Sequence, residues 1–125
     1  MQALISAMLI VVGLIHLLPM VGVIGSARLS ALYGLPFDEP NLAILMRHRA
    51  ALFGLLGLFF VASAFQPAWQ GLALLAGLAS VLSFLWLAWS VGGCNERLRR
   101  VVLADVLALA CLIVGSVAHV HLLPG

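Results

Sequence analysis

Charged side chains are what this chain has least of: six basic and four acidic residues among 125, or 8%. Soluble domains carry roughly a quarter. With 65% hydrophobic residues and a mean hydropathy of +1.24, the chain lacks the polar surface of a water-soluble fold. Disorder is excluded too, because disordered segments are poor in apolar residues. Nucleic-acid binding needs a dense basic face, which is also missing. Lysine is absent, so all six basic residues are Arg. Cysteine is limited to Cys94 and Cys111, and no C-x-x-C or C-x-x-C-H occurs, which excludes a thioredoxin-like site and covalent c-type haem. One thiol falls in a connection and the other well inside the last apolar run, so no disulfide is expected. Walker, Rossmann and H-E-x-x-H patterns are missing as well. Met1-Gln2 lacks the basic start of a secretory signal, so the first apolar run is expected to persist as a helix.

What is present is one apolar run after another. Crossing a bilayer takes about 20 such residues, and four stretches qualify, at about 3–25, 41–65, 71–92 and 101–123. They fill residues 1–125 as a single transmembrane domain. The expected fold is all-α, an integral membrane four-helix bundle running up-down-up-down through short links. Arg28, Arg47 and Arg49 surround the first connection, and Arg97, Arg99 and Arg100 fill the third. The second connection, Gln66 to Gln70, and both termini carry no Arg. By the positive-inside rule this split puts both termini outside and the Arg-bearing loops in the cytoplasm. Arg28, Arg49, Arg97, Arg99 and Arg100 are read as membrane-surface residues touching anionic headgroups.

The first connection has internal order. Ser26 to Tyr33 reads as a short amphipathic turn with Leu29, Leu32 and Tyr33 facing acyl chains, ended by Gly34 and Pro36. Asp38-Glu39-Pro40-Asn41 then supplies a cap, with Pro in the first turn of the second helix. Trp69, Trp86 and Trp89 fall near the expected interfaces and are read as anchors.

Helices in lipid associate through small and polar faces. At about 100° per residue, Ser6, Leu9, Gly13, His16 and Met20 share one stripe of the first helix. The second aligns Ala43, Ala50, Gly54, Gly57 and Val61, with Arg47 at its edge. The third aligns Ala73, Ala76, Gly77, Ser80, Ser83 and Ser90, and the fourth Asp105, Ala108, Leu112, Ser116 and His119. Packing accounts for the small residues but not for ionisable groups at membrane depth, which are costly there. His16, Arg47, His48, Arg49 and Asp105 all belong to the Arg-bearing half. The candidate polar site is therefore His16, Arg47, His48 and Asp105, with Arg47 expected to pair with Asp105. Such a pair either fixes helix register or lines a pocket. His119 and His121 lie on different faces, a poor chelate, so no metal site is expected. A haem between His16 and His48 would need both rings on interior faces, and no cofactor is expected beyond haem or quinone as open alternatives.

The segments Ala31-Leu32-Tyr33-Gly34-Leu35-Pro36, Leu45-Met46-Arg47-His48-Arg49-Ala50 and Gly54-Leu55-Leu56-Gly57 carry a resemblance, joined by Ile15 to Pro19 and Arg99 to Asp105. Over essentially its whole length the chain resembles small four-span bacterial membrane proteins often labelled phosphopantetheine adenylyltransferase. That enzyme is a soluble α/β nucleotidyltransferase with an H-x-G-H phosphate site, and neither its motif nor its alternating pattern occurs here. More loosely, the chain looks like the DoxX-like four-span proteins. That resemblance implies a multi-pass protein of the bacterial inner membrane and a role with quinols or other lipophilic ligands. The leading expectation is binding or processing of a quinone, isoprenoid or lipid at the polar cluster. An accessory or assembly protein without chemistry comes next, and then a small proton-coupled exporter. Expected partners are the lipid bilayer, a lipophilic ligand and a second copy in a homodimer, with no nucleic acid.

Overall fold

The computed structural model describes residues 1–18, 33 and 39–122. Among them are four helices and no strand: α1 (Gln2–Leu17), α2 (Pro40–Ala64), α3 (Pro67–Val91) and α4 (Glu96–Leu122). The all-α bundle expected from the apolar runs is what forms. Helices α2, α3 and α4 are each long and apolar enough to cross a membrane, with mean hydropathies of 1.6, 2.1 and 2.5. The 25 residues of α2 extend about 37 Å, against a hydrocarbon core of about 30 Å. The expected continuation of α1 to residue 25, and Arg28, Leu29, Leu32 and Asp38 with it, lie outside the described residues.

Helix starts follow local chemistry. Glu39 caps α2: its carboxylate accepts from the amides of Asn41 (3.1 Å) and Leu42 (2.8 Å), and Pro40 occupies the first turn. These are the amides a helix leaves unpaired, and they hold the Glu39 carboxyl below its ordinary range, Asn41 contributing most. Helix α3 begins at Pro67, four residues before the expected 71, because proline needs no amide partner in a first turn. Helix α4 begins at Glu96 rather than near 101. The reason is Asn95, whose side-chain oxygen accepts from the Leu98 amide at 2.7 Å, a helix cap the apolar count cannot register. Between α3 and α4 the chain turns through Gly92 and Gly93 at φ of 73° and 69°, a region glycine enters without strain.

Helix α1 packs on α2 and α4, α3 packs on α4 and α2, and α1 touches α3 across the diagonal. The core runs through Ile5, Leu9, Val12, Phe60, Leu74, Val81 and Leu112. The α1/α2 crossing is the tightest. A methyl group on Gly13 would come within 2.9 Å of the Gly57 carbonyl, and one on Gly57 within 2.8 Å of the Gly13 carbonyl. Burying apolar area gains little inside lipid, so this backbone approach is the kind of contact that holds membrane helices together. Outward-facing positions carry Leu55, Leu72, Leu75, Leu103 and Val120, all exposed, as an acyl-facing surface requires. Trp69, Trp86 and Trp89 are exposed too.

Candidate functional site

The inward face of α2 sets the site. Its buried residues Ala50, Gly54, Gly57, Phe60, Ser63 and Ala64 centre on a stripe that, carried back toward Pro40, takes in Met46 and Arg49. On a helical wheel Arg49 lies about 60° from the centre of that stripe, Arg47 about 100° and His48 about 160°. The structure accordingly leaves Arg47 and His48 exposed and turns Arg49 partly inward. The expected stripe had Arg47 at its edge and in the polar site, with Arg49 at the membrane surface. Ala50, Gly54 and Gly57 of the expected stripe are buried and Val61 is partly so, while Phe60, Ser63 and Ala64 widen the buried face on the side of Arg49.

Arg49 is held by aromatic groups. Its guanidinium carbon lies 4.5 Å from the centre of the Phe53 ring, 5.5 Å from Tyr33 and 5.6 Å from Phe84, and Nη1 donates to the Tyr33 hydroxyl. A cation over an aromatic face gains on the order of 0.5–2 kcal/mol, which favours this box over extension toward headgroups. Tyr33 is 3% exposed and packs on Met46, Leu98 and Val101, so it does not face acyl chains as expected. Its carbonyl accepts from the Asn95 side chain at 2.8 Å, which ties the first connection to the cap of α4.

Beside Arg49 is a cavity of about 350 Å³, lined by Tyr33, Met46, Arg49, Phe84, Leu87, Ala88, Val91, Gly92, Cys94 and Leu98. Among the described residues, Arg49 is its one charged lining residue. Leu87 and Val91 are 58% and 81% exposed, so the wall formed by α3 opens sideways. The volume is at the small end of the ~300–1,000 Å³ typical of ligand sites.

Behind Phe53 sits His16, 2% exposed. Its ring lies 5.4 Å from Phe53 and edge-on to Phe60 at 5.0 Å. Nδ1 lies 3.0 Å from the Val12 carbonyl and Nε2 3.2 Å from the Ser80 hydroxyl. A carbonyl can only accept, so Nδ1 carries the proton, and in the neutral ring Nε2 accepts from Ser80. Both nitrogens are thus engaged, and His48 is on the exposed side of α2. These two histidines do not face a common gap, so the geometry does not fit a haem held between them.

Asp105, 8% exposed, shares the buried stripe of α4 with Ala108 and Leu112. The cation whose charge acts on it is Arg49, not Arg47 as expected. Among the described residues no carboxylate makes an ion pair with Arg49. The structure therefore assembles His16, Phe53, Arg49, Tyr33 and Asp105 at the Arg-rich end and leaves Arg47 and His48 outside the group.

Sequence reading missed a second polar knot at the opposite end. Gln70, expected in a loop, is 1% exposed. It accepts from Gln2 at 2.8 Å, while the Ser6 hydroxyl donates to the Ala64 carbonyl at 2.7 Å. The signal available was Pro67, which starts the helix early enough to turn Gln70 inward. At the same end His119 is partly buried near Gly71 and His121 is exposed. No family model, no curated protein and no solved structure matches the chain.

Proposed function

We propose that this is an integral inner-membrane protein that binds a lipophilic small molecule in the cavity beside Arg49. The observation that carries the reading is a guanidinium, caged by rings, that among the described residues is the one charged group in an apolar cavity opening sideways between the helices. Ligand sites combine apolar walls with a few placed polar groups, and Arg49 supplies that group here. A quinone, an isoprenoid or a lipid would insert its chain past Leu87 and Val91 and bring its polar end to Arg49. The Arg-rich end faces the cytoplasm by the positive-inside argument. His16 stands behind Phe53 rather than in the cavity lining, which favours binding over proton-transfer chemistry.

Native mass spectrometry of protein released from mild detergent tests this reading. The expected result is a reproducible adduct of small-molecule mass, lost in Arg49→Gln and retained in Arg47→Gln. A bare protein, with helicity and stability intact, would overturn it and favour an accessory protein that works through its apolar faces.

A further inference from the structure

We infer that the occupant of this cavity is an amphiphile with an anionic head, a carboxylate or a phosphate, and that Arg49 selects it. The inference rests on the ligand-binding reading above and narrows it to one head chemistry. A guanidinium presents five N–H donors and no acceptor. Among the described residues, Arg49 is given a hydroxyl and three ring faces, and none of these supplies a formal negative charge. Asp105 acts on Arg49 from α4 but makes no ion pair with it. Taking a charge out of water is costly unless it is paired, Arg49 is partly buried, and the space beside it is the cavity.

The rest of that space argues for a chain attached to the anion. Met46, Phe84, Leu87, Ala88, Val91 and Leu98 give a wall of carbon, which a small hydrated ion would not enter. A neutral head, such as a carbonyl or an alcohol, would use the donors but bring no charge of its own to the guanidinium. Planar, bidentate recognition of a carboxylate or phosphate is the chemistry arginine suits best. The cavity holds the head and the first part of the chain. The remainder leaves past the exposed Leu87 and Val91 into the acyl layer.

The test uses the whole protein in neutral phosphatidylcholine nanodiscs. It measures retention of four probes by native mass spectrometry: hexadecanoic acid, hexadecyl phosphate, hexadecanol and inorganic phosphate. The expected result is one bound equivalent of the acid or the alkyl phosphate, about tenfold weaker retention of hexadecanol, and no retention of inorganic phosphate. Arg49→Gln should bring the anionic probes down to the level of hexadecanol. Ala88→Phe, which fills the cavity and leaves Arg49 in place, should abolish retention of every alkyl probe. Equal retention of the acid and the alcohol would overturn the anionic head and leave lipophile binding standing. No retention of any alkyl probe by a folded protein would overturn both. Inorganic phosphate retained as well as hexadecyl phosphate would assign a free-anion site and overturn the amphiphile. If Arg49→Gln does not fold, undiminished binding of hexadecanoic acid to Ala88→Phe overturns the proposal.

Discussion

At the scale of the residue, the choice between Arg47 and Arg49 decides what the Arg-rich end can do. The two differ by only two positions, yet one is exposed and the other faces a cage of Tyr33, Phe53 and Phe84. A double-mutant cycle checks this assignment. Asp105→Asn with Arg49→Gln should couple by on the order of 1 kcal/mol, whereas Asp105→Asn with Arg47→Gln should add to within about 0.5 kcal/mol. Unfolding in mixed micelles provides the readout. Glu39 gives a pH-dependent prediction. Its carboxyl is held below its ordinary value of 4.5, first by the Asn41 amide and then by Leu42. A group depressed on folding stabilises above its unfolded value, and that contribution disappears as pH falls through the folded one. Protection of the Leu42 amide, corrected for intrinsic exchange, should therefore persist at pH 4.5 and drop only as pH falls below it, and Glu39→Gln should remove the dependence. That the polar site lies in the Arg-bearing half was legible in the sequence, because ionisable residues are rare enough at membrane depth to stand out. Which arginine turns inward was not. It depends on where Phe60 and Ala64 seat, and a wheel drawn from small residues alone leaves that angle open.

At the scale of the element, small residues set how closely the helices approach. Gly13 and Gly57 face each other with room for neither to carry a methyl group. Gly57→Ala should destabilise the bundle by about 1–3 kcal/mol, the usual cost of overpacking. Leu55→Ala, on the exposed side of the same helix, should change stability little by the same thermal unfolding assay. Helix existence was legible throughout α2, α3 and α4, since apolar runs of that length have few other fates. The boundaries were less so. Pro67 and Asn95 start their helices earlier than hydropathy alone would, by supplying what a first turn lacks. Each shift has a structural consequence, since the first accompanies the burial of Gln70 and the second the placement of Leu98 as a wall of the cavity. On α3 the serines behaved differently from the expected stripe. Ser80 reaches His16, but Ser83 and Ser90 bond carbonyls of their own helix at 2.9 and 3.4 Å and stay exposed.

At the scale of the whole molecule, the two ends differ in charge and in chemistry. Arg47, Arg49, Arg97, Arg99 and Arg100 gather at the end that holds the cavity, and the Gln2/Gln70 knot closes the other. Cys94 marks the Arg-rich end and Cys111 lies within α4, so thiol labelling reports the orientation. A membrane-impermeant maleimide should modify Cys94 in inside-out vesicles and spare it in intact spheroplasts, with Cys111→Ala as background. Labelling from the outer side would reverse the orientation. The diagonal bond from His16 to Ser80 also bears on how the protein is made. These partners are 64 residues apart, and ribosomes add about 5–20 residues per second. The first helix therefore waits roughly 3–13 s with an imidazole whose hydroxyl partner has not yet been synthesised. Until then only the Nδ1 side of the ring has its partner, the Val12 carbonyl of the same helix, so the bundle's most buried histidine spends its first seconds one hydrogen bond short.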